Sequence, residues 1–574
     1  MGNIKFYALG GVQEDGKNMY VIEVNSKIFI LDAGSKVPST DLHGVDIIVP
    51  NISYLVENKD RVVGLFLTHA HDEHIGSVYQ VIRDLGCRVY ASKFTMAVLV
   101  DKLKHDNINY DSEKLIIIRS KLSLSFDDVK VRFFELAHNI PDCCGIDIQT
   151  SDGNIVYTGN YNFDQNANVD YASMFRNLGV FSKEKVLMLL TESLGATSTQ
   201  TRGTILEFKT RMNNIIAEAN NRIIFSLYSD DLLRIKQIIN IAVENKKKIA
   251  ILGKKTQRIL NQAINLGYIT VPEEYNVNLK FIDELNHNDD KDLVVLVTGE
   301  RHEPFFMLQR MSKKIDRLIH LNSNDTVIVL TNPLLGTEKM AARTLDILYR
   351  VTSKVYTFKS DLLPLPNAGR EEIKQMINVL KPNYVIPVIG EYRHQYACMI
   401  VADCLGYDNK HCLLPDAGDV LEFVDGNYIG VTSEVACGDV MLDGKAFGDI
   451  GDVVMKDREL LAEDGVIIIS ANINPKTKRI VVGPEIVSKG FLYDSDPNNI
   501  MQKIYQTFFI IADKYLSQKF INWAEFKQSL KSEISTLIYK TVRRSPIIIP
   551  VLISTDLESI EKKIAEEKEN TDNK

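Results

Sequence analysis

The chain has 574 residues, 45% hydrophobic and 25% charged, the profile of an ordinary globular protein of about two to four domains. Its net charge of -8 and pI near 5.9 argue against a broad phosphate-binding surface and leave room only for a local basic channel. Seven scattered cysteines without a C-x-x-C pair exclude a disulfide framework and a cysteine-based zinc knuckle.

In chain order, the opening MGNIKFYALGGV has no basic stretch followed by an apolar run, and Phe6 breaks the myristoylation pattern. No apolar run is long enough to span a bilayer, so the expected setting is cytoplasmic, with no membrane partner. Tyr20 to Val24 and Ile28 to Leu31 read as strands leading into the turn Asp32-Ala33-Gly34. Val62 to Leu67 reads as a buried strand ending at Thr68. Ile75, Val78, Ile82 and Leu85 recur at helical spacing. Cys87 to Tyr90 returns as a strand, and Ser92 stands where an N-cap belongs. A second alternating block follows: strands at Arg222 to Leu227, Lys248 to Leu252, Leu293 to Val297 and Thr326 to Leu330, with a helix from Leu232 to Val243. Tyr384 to Val388 is a further strand. After about residue 455 come a strand at Gly465 to Ser470, a helix at Asn499 to Ser517 and a strand at Ile547 to Ile553. The alternation predicts a layered α/β fold. Two basic clusters could line a channel: Lys246, Lys247, Lys248, Lys254, Lys255 and Arg258, and Arg310, Lys313, Lys314 and Arg317. Each by itself is more often a solvated face.

The densest chemistry lies at His69-Ala70-His71-Asp72-Glu73-His74, directly after the strand ending at Thr68. A lone histidine is usually structural. Three within six residues, beside two acids at the end of a strand, can aim imidazoles and a carboxylate at one point, and these are ligands that suit zinc.

Thr68-His69-Ala70-His71-Asp72-Glu73-His74 resembles the H-x-H-x-D-H signature of the metallo-β-lactamase fold. The likeness continues through Leu9-Gly10-Gly11, Gly16-Lys17-Asn18-Met19, Leu31-Asp32-Ala33-Gly34, His138-Asn139-Ile140-Pro141-Asp142, Tyr157-Thr158-Gly159-Asn160 and Gly390-Glu391-Tyr392-Arg393. Asp457-Arg458, Gly483-Pro484 and Arg543-Arg544-Ser545-Pro546 extend it towards the end. Over about residues 1 to 553 the chain resembles the ribonuclease J family, and within it the second of the two paralogues that some bacteria carry. The resemblance implies a four-layer αββα metallo-β-lactamase core in two parts, 1–205 and 359–450, with an inserted α/β β-CASP domain at 206–358. A linker at 451–465, a small α+β C-terminal domain at 466–555 and a charged tail at 556–574 would follow. It further implies two zinc ions in the cleft between the first two domains, where RNA is cut from its 5′ end or internally in mRNA turnover and rRNA maturation.

Carried over by position, His69, His71 and His138 match the ligands of one zinc and His74 a ligand of the second. The expected aspartate before His74 is Glu73, the expected bridging aspartate is Asn160, and the expected late histidine is Ile389. Asn160 offers only a neutral carbonyl oxygen, and Ile389 cannot coordinate. The expectation is therefore zero or one tightly bound Zn2+ per chain, with Glu73 as the catalytic acid–base group. The candidate substrate loop, Leu363-Pro364-Leu365-Pro366-Asn367, is altered as well: Leu365-Pro366-Asn367 stands where the family has Ser-Gly-His, and Pro364 and Pro366 remove backbone donors. Glu300-Arg301-His302 likewise replaces small residues between Thr298-Gly299 and Glu303-Pro304.

Two functional expectations follow. One is a metal-dependent ribonuclease, weakened by the lost ligands. The other is a non-catalytic subunit of an active ribonuclease J paralogue. Partners would be RNA and a second chain, as homodimer or as hetero-oligomer with that paralogue. A small-molecule hydrolase would give the inserted and C-terminal domains no purpose.

Overall fold

Burial along the strands sorts them into sheets. The computed structural model describes residues 2–38, 42, 44–119, 123–163, 178–179, 181, 183–198, 204–276, 291–334, 336–358, 363, 367–443, 452–491 and 499–554. The expected charged tail at 556–574 lies outside them. Two compact units result, one of residues 1–38 and 46–447, the other of 39–45 and 448–574.

In the first unit an eight-stranded sheet runs in the order Asn427–Glu434, Asp419–Val424, Asn3–Gly10, Met19–Val24, Lys27–Leu31, Val62–Phe66, Val89–Ala91 and Leu115–Ile117. Its central strand Met19–Val24 is buried along its whole length, so both faces are covered. A six-stranded sheet, Tyr384–Val388, Val186–Glu192, Gly153–Tyr157, Cys144–Thr150, Val129–Glu135 and Ser123–Phe126, lies against it. Phe6, Tyr20, Phe29 and Phe66 from the first sheet and Ile146, Ile155, Tyr157 and Leu190 from the second form one core between them. Helix Lys93–His105 packs outside the first sheet. Helices Arg370–Leu380 and Tyr392–Asp403 pack outside the second. This is the expected αββα order.

Val186–Glu192 and Tyr384–Val388 pair as parallel neighbours, Glu192 opposite Val388, although almost two hundred residues separate them. The chain between them builds a separate five-stranded parallel sheet in the order Lys248–Leu252, Leu293–Gly299, Ile223–Tyr228, Thr326–Val329 and Val355–Thr357. Helices Ile205–Glu218 and Leu232–Glu244 cover one face through Met212, Ile235 and Ile239. Glu303–Ser312 and Glu338–Tyr349 cover the other through Leu308, Met311 and Leu348. Leu260 and Ala263 of helix Lys254–Asn265 share a core with Phe94 and Leu99, so the inserted sheet is seated on the metallo-β-lactamase-like layers.

The second unit is a sheet of Arg479–Lys489, Val466–Asn474 and Ile547–Ser554. Strict alternation along Val466–Asn474 buries Ile467, Ile469 and Ile473 against helices Ile500–Leu516 and Trp523–Val542.

Most predicted elements fall within a residue or two of their expected places. The helix expected from Ile75 differs: a single turn, Asp72–Ile75, is separated by Gly76 and Ser77 from Val78–Asp84. The break falls where the backbone bonds are diverted: the Ser77 N–H donates to the Ala33 carbonyl at 2.9 Å, and the Glu73 and His74 carbonyls accept from the Asn18 and Ala33 N–H groups. All seven cysteines are free thiols, and Cys143, Cys144, Cys398 and Cys412 are buried. Among the described residues no helix is long and apolar enough to cross a membrane.

Candidate metal centre

The site begins with a buried carboxylate. Asp32, in the left-handed conformation at φ 58°, closes strand Lys27–Leu31 and is fully buried. Four donors satisfy its charge: the Thr68 N–H and Thr68 hydroxyl at 2.8 Å each, the Tyr157 hydroxyl at 2.7 Å and His74 Nδ1 at 2.7 Å. These bonds anchor the turn that carries the histidines.

They also fix the tautomers. Because the Thr68 hydroxyl gives its hydrogen to Asp32, its oxygen accepts from His69 Nδ1, 3.0 Å away, and His69 Nε2 is left with a lone pair. His71 Nε2 lies 3.3 Å from the Asp230 carbonyl, to which it donates, so His71 Nδ1 carries the lone pair on that ring. That Nδ1 is 3.1 Å from His69 Nε2 and 3.3 Å from His138 Nε2. Three ligand nitrogens at ~2.0–2.1 Å from a tetrahedral ion stand ~3.3 Å apart, so the observed spacing fits one cation. Burial, and then the rings of His74, His71 and His138, push the His69 pKa well below the ordinary imidazole range. A neutral ring is what a metal ligand requires.

The two acids of the motif diverge. Asp72 pairs with Lys102 Nζ at 2.6 Å and is held away from the histidines. Glu73 Oε1 is 3.5 Å from His71 Nδ1, with the side chain 40% exposed, on the open side of the triad.

The residues expected at a second ion are committed elsewhere. His74 is fully buried; Nδ1 contacts Asp32, and Nε2 lies 3.2 Å from the Asn18 amide nitrogen. Tyr20 holds that amide by donating to Asn18 Oδ1 at 2.9 Å. Burial opposes charge on His74, but the Asp32 carboxylate overrides it and raises the pKa. Asn160 donates to Glu192 Oε2 at 2.8 Å and weakly to Asn367 Oδ1 at 3.4 Å. Its own Oδ1 is buried, and Asn160 also meets the His74 ring, which helps to raise the His74 pKa. Ile389 packs in the core between the sheets, and its carbonyl accepts from the Ser193 N–H and hydroxyl. Three imidazoles thus fit one ion, while Asn160 and Ile389 bring no charged ligand to their positions. In the substrate loop, Leu363 is buried, Asn367 touches Asn160, and Pro364, Leu365 and Pro366 lie outside the described residues.

Two site residues escaped the sequence reading. Asp32 was read as part of a turn and of a resembling motif, with no role at the site. Glu192 accepts from the Tyr161 N–H and the Ala368 N–H at 2.8 Å each, besides Asn160. The one available signal was an acid closing a mostly apolar strand, VLMLLTE.

The inserted sheet completes the site. Asp230 follows its strand Ile223–Tyr228 and meets His71, while the Leu233 N–H donates to the Asn139 carbonyl at 2.8 Å. Tyr268 donates to the Asp142 carboxylate and packs edge-on against Phe94. The histidines therefore sit where two domains meet.

Comparison with known proteins agrees with this arrangement. Residues 12–159 match the metallo-beta-lactamase superfamily, a metal-binding family. Residues 220–348 match the ribonuclease J beta-CASP domain, and residues 453–555 match the ribonuclease J C-terminal domain. The chain is 34% identical to "Ribonuclease J2" of Bacillus subtilis (strain 168) over 551 residues, covering 96% of this chain and 98% of that protein. It is 33% identical to "Ribonuclease J 2" of Staphylococcus aureus (strain NCTC 8325 / PS 47) over 552 residues, again 96% and 98%. A crystal structure of a protein of unknown function from Enterococcus faecalis V583 superposes with TM-score 0.52 at 13% identity, covering 74% of this chain and all of that one; it shows the fold alone. By its three matched domains and by full-length similarity to these relatives, the chain belongs to the ribonuclease J family.

Proposed function

We propose that this chain is a cytoplasmic RNA-binding protein that holds one zinc ion through His69, His71 and His138 and hydrolyses RNA weakly. The observation that carries this reading is the triad, with nitrogens 3.1 and 3.3 Å apart about His71 Nδ1. A bound zinc would lower the pKa of a water and polarise the phosphodiester. The chain's own part is to orient the imidazoles through Asp32 and Thr68 and to present Glu73, on the open side, to the water as the group that aligns it or takes its proton. Asn160, Ile389 and the engaged His74 leave no second cation to stabilise the charged transition state. Losing such electrostatic help typically slows catalysis by about a hundred- to a thousandfold or more.

The same three residues favour a second reading, a non-catalytic subunit of an active ribonuclease J paralogue that contributes RNA-binding surface. The oligomer would be a homodimer or that hetero-oligomer. One experiment separates the readings. Purified chain is dialysed against metal-free buffer, its zinc content measured, and 5′-monophosphorylated RNA offered beside a His69→Ala, His71→Ala double variant. One zinc and cleavage confined to the wild type support the enzyme. One zinc with equal, negligible cleavage supports the subunit. Two zincs per chain would overturn both.

A further inference from the structure

Two kinds of contact hold the inserted sheet against the histidine-bearing layers. One is apolar and broad: Leu260 and Ala263 share a core with Phe94 and Leu99, and Tyr268 packs edge-on against Phe94. Such packing has no fixed direction, so it tolerates small rotations and can serve as a hinge. The other is polar and narrow, and it follows the carboxyl edge of the sheet. Asp230, just past the central strand Ile223–Tyr228, meets His71 through its carbonyl. The neighbouring strand Leu293–Gly299 is tied to that point by the Ser229 N–H, which donates to the Gly299 carbonyl at 3.0 Å.

Beyond Gly299 the chain turns tightly. The Glu303 N–H donates to the Glu300 carbonyl and the Glu300 N–H to Glu303 Oε2, both at 2.8 Å. This closure leaves Arg301 at the apex, in the left-handed region at φ 43°. A long side chain holds that conformation only where its surroundings impose it. From the apex Arg301 Nη1 donates to the Pro38 carbonyl at 3.0 Å, across 263 residues of sequence. Pro38 lies on the segment that leaves the Asp32 turn. Three residues earlier Ser35 is bonded to the Asp72 carbonyl of the histidine turn, through its N–H at 2.9 Å and its hydroxyl at 3.1 Å. Arg301 therefore ties the sheet edge to the histidine-bearing layers close to the triad, and it does so from a strained backbone. It also stands where the family resemblance implied a small residue.

We propose that Arg301 is a latch: its bond to the Pro38 carbonyl holds the cleft between sheet edge and histidines shut, and single-stranded RNA enters when that bond opens. The hinge is the apolar contact of helix Lys254–Asn265 with helix Lys93–His105. The inference rests on the RNA reading above. A binding-competent state populated only part of the time lowers the apparent affinity by that fraction, so the latch restrains the site without touching a histidine. The strain at Arg301 offsets part of what the bond contributes, which leaves the latch free to open.

The test compares wild type, Arg301→Gly and, as a control in the same turn, the exposed His302→Ala. Glycine removes the latch and relieves the left-handed backbone together, so Tm is expected to stay close to that of the wild type. Deuterium uptake by residues 230–235, where the Leu233 N–H donates to the Asn139 carbonyl of the other domain, is expected to quicken in Arg301→Gly alone. The association rate of a labelled single-stranded RNA, followed by stopped-flow anisotropy, is expected to rise several-fold in the same variant. Loss of a cation would by itself slow association with a polyanion, so the two effects have opposite signs. Slower association, with the slope of log affinity against log salt reduced by ~0.7, the value for one phosphate contact on a single strand, would make Arg301 a phosphate ligand and overturn the latch. An unchanged rate in a variant that binds RNA would make the bond merely structural and overturn it as well. Quicker uptake with no RNA bound by any of the three proteins supports the latch and overturns the RNA reading beneath it.

Discussion

Asp32 shows how much rests on one residue. Four donors converge on its carboxylate, and removing it leaves Thr68, Tyr157 and His74 without their acceptor in a dry interior. Asp32→Ala is expected to destabilise the protein by ~3–5 kcal/mol, the range for breaking a buried charged pair. Urea denaturation with a loss below ~1 kcal/mol would contradict the satisfaction argument. At the other end of the site, Ile389 is a β-branched residue at φ 53°, a conformation that costs ~1–2 kcal/mol for an L-residue. Its N–H and carbonyl are nonetheless tied to Gly11, Ser193 and the Tyr20 hydroxyl. The backbone keeps a special conformation while the side chain serves the core. Restoring a histidine there is therefore expected to leave zinc at one per chain, because Asn160 stays neutral and His74 Nε2 stays on Asn18. Ile389→His combined with Asn160→Asp is expected to raise the stoichiometry, read by elemental analysis after dialysis. In Asn160→Asp alone, a carboxylate would meet Glu192 across what is now a 2.8 Å hydrogen bond, and metal addition should raise its Tm more than that of the wild type.

The strands and turns decide where these residues can act. Strand Cys144–Thr150 supplies a pH-sensitive element remote from the histidines. Asp147 is fully buried beside Arg132, at 2.6 Å. Burial pushes its pKa up to about 7, against the pull of the Arg132 charge. An acid whose folded pKa lies above its unfolded value binds a proton in the native state that the unfolded chain has already released. Stability is therefore expected to fall as pH rises from about 4 to about 7 and to flatten above that. Asp147→Asn should remove this slope, as measured by denaturation midpoints at pH 5 and pH 8; an unchanged difference between the two would refute the assignment. Arg132 keeps Glu184 as its partner in the variant, so the comparison isolates the Asp147 proton. At the level of elements the sequence was legible. Ser92 caps helix Lys93–His105 by accepting from the Thr95 N–H, as its position before an apolar periodic run implied. The helix after the histidines was misjudged because its break comes from backbone bonds between Ser77, His74 and the distant Ala33, contacts invisible to local periodicity.

For the whole molecule, function depends on segments distant in the chain. The second unit has a core of its own, and the strand Ile547–Ser554 turns Ile549, Val551 and Ile553 outwards, between 37% and 49% exposed. Such a face is a candidate for burial by another chain. A chain ending at residue 447 is expected to keep its zinc and to lose self-association, as followed by light scattering. An unchanged mass would move the interface elsewhere.

Composition, strand–helix alternation and the His69–His74 cluster by themselves determined an α/β metal-site protein, because periodicity and ligand type are local properties that the chain carries in order. That Asn160 and Ile389 bring no charge to the site was also readable residue by residue. Only the tertiary structure decided which nitrogens meet at bonding distance, that Asp72 turns to Lys102, and that Asp32 and Glu192 hold the site together. Those facts depend on lone-pair direction and on contacts between residues as far apart as 160 and 192 or 71 and 230, which no local pattern encodes.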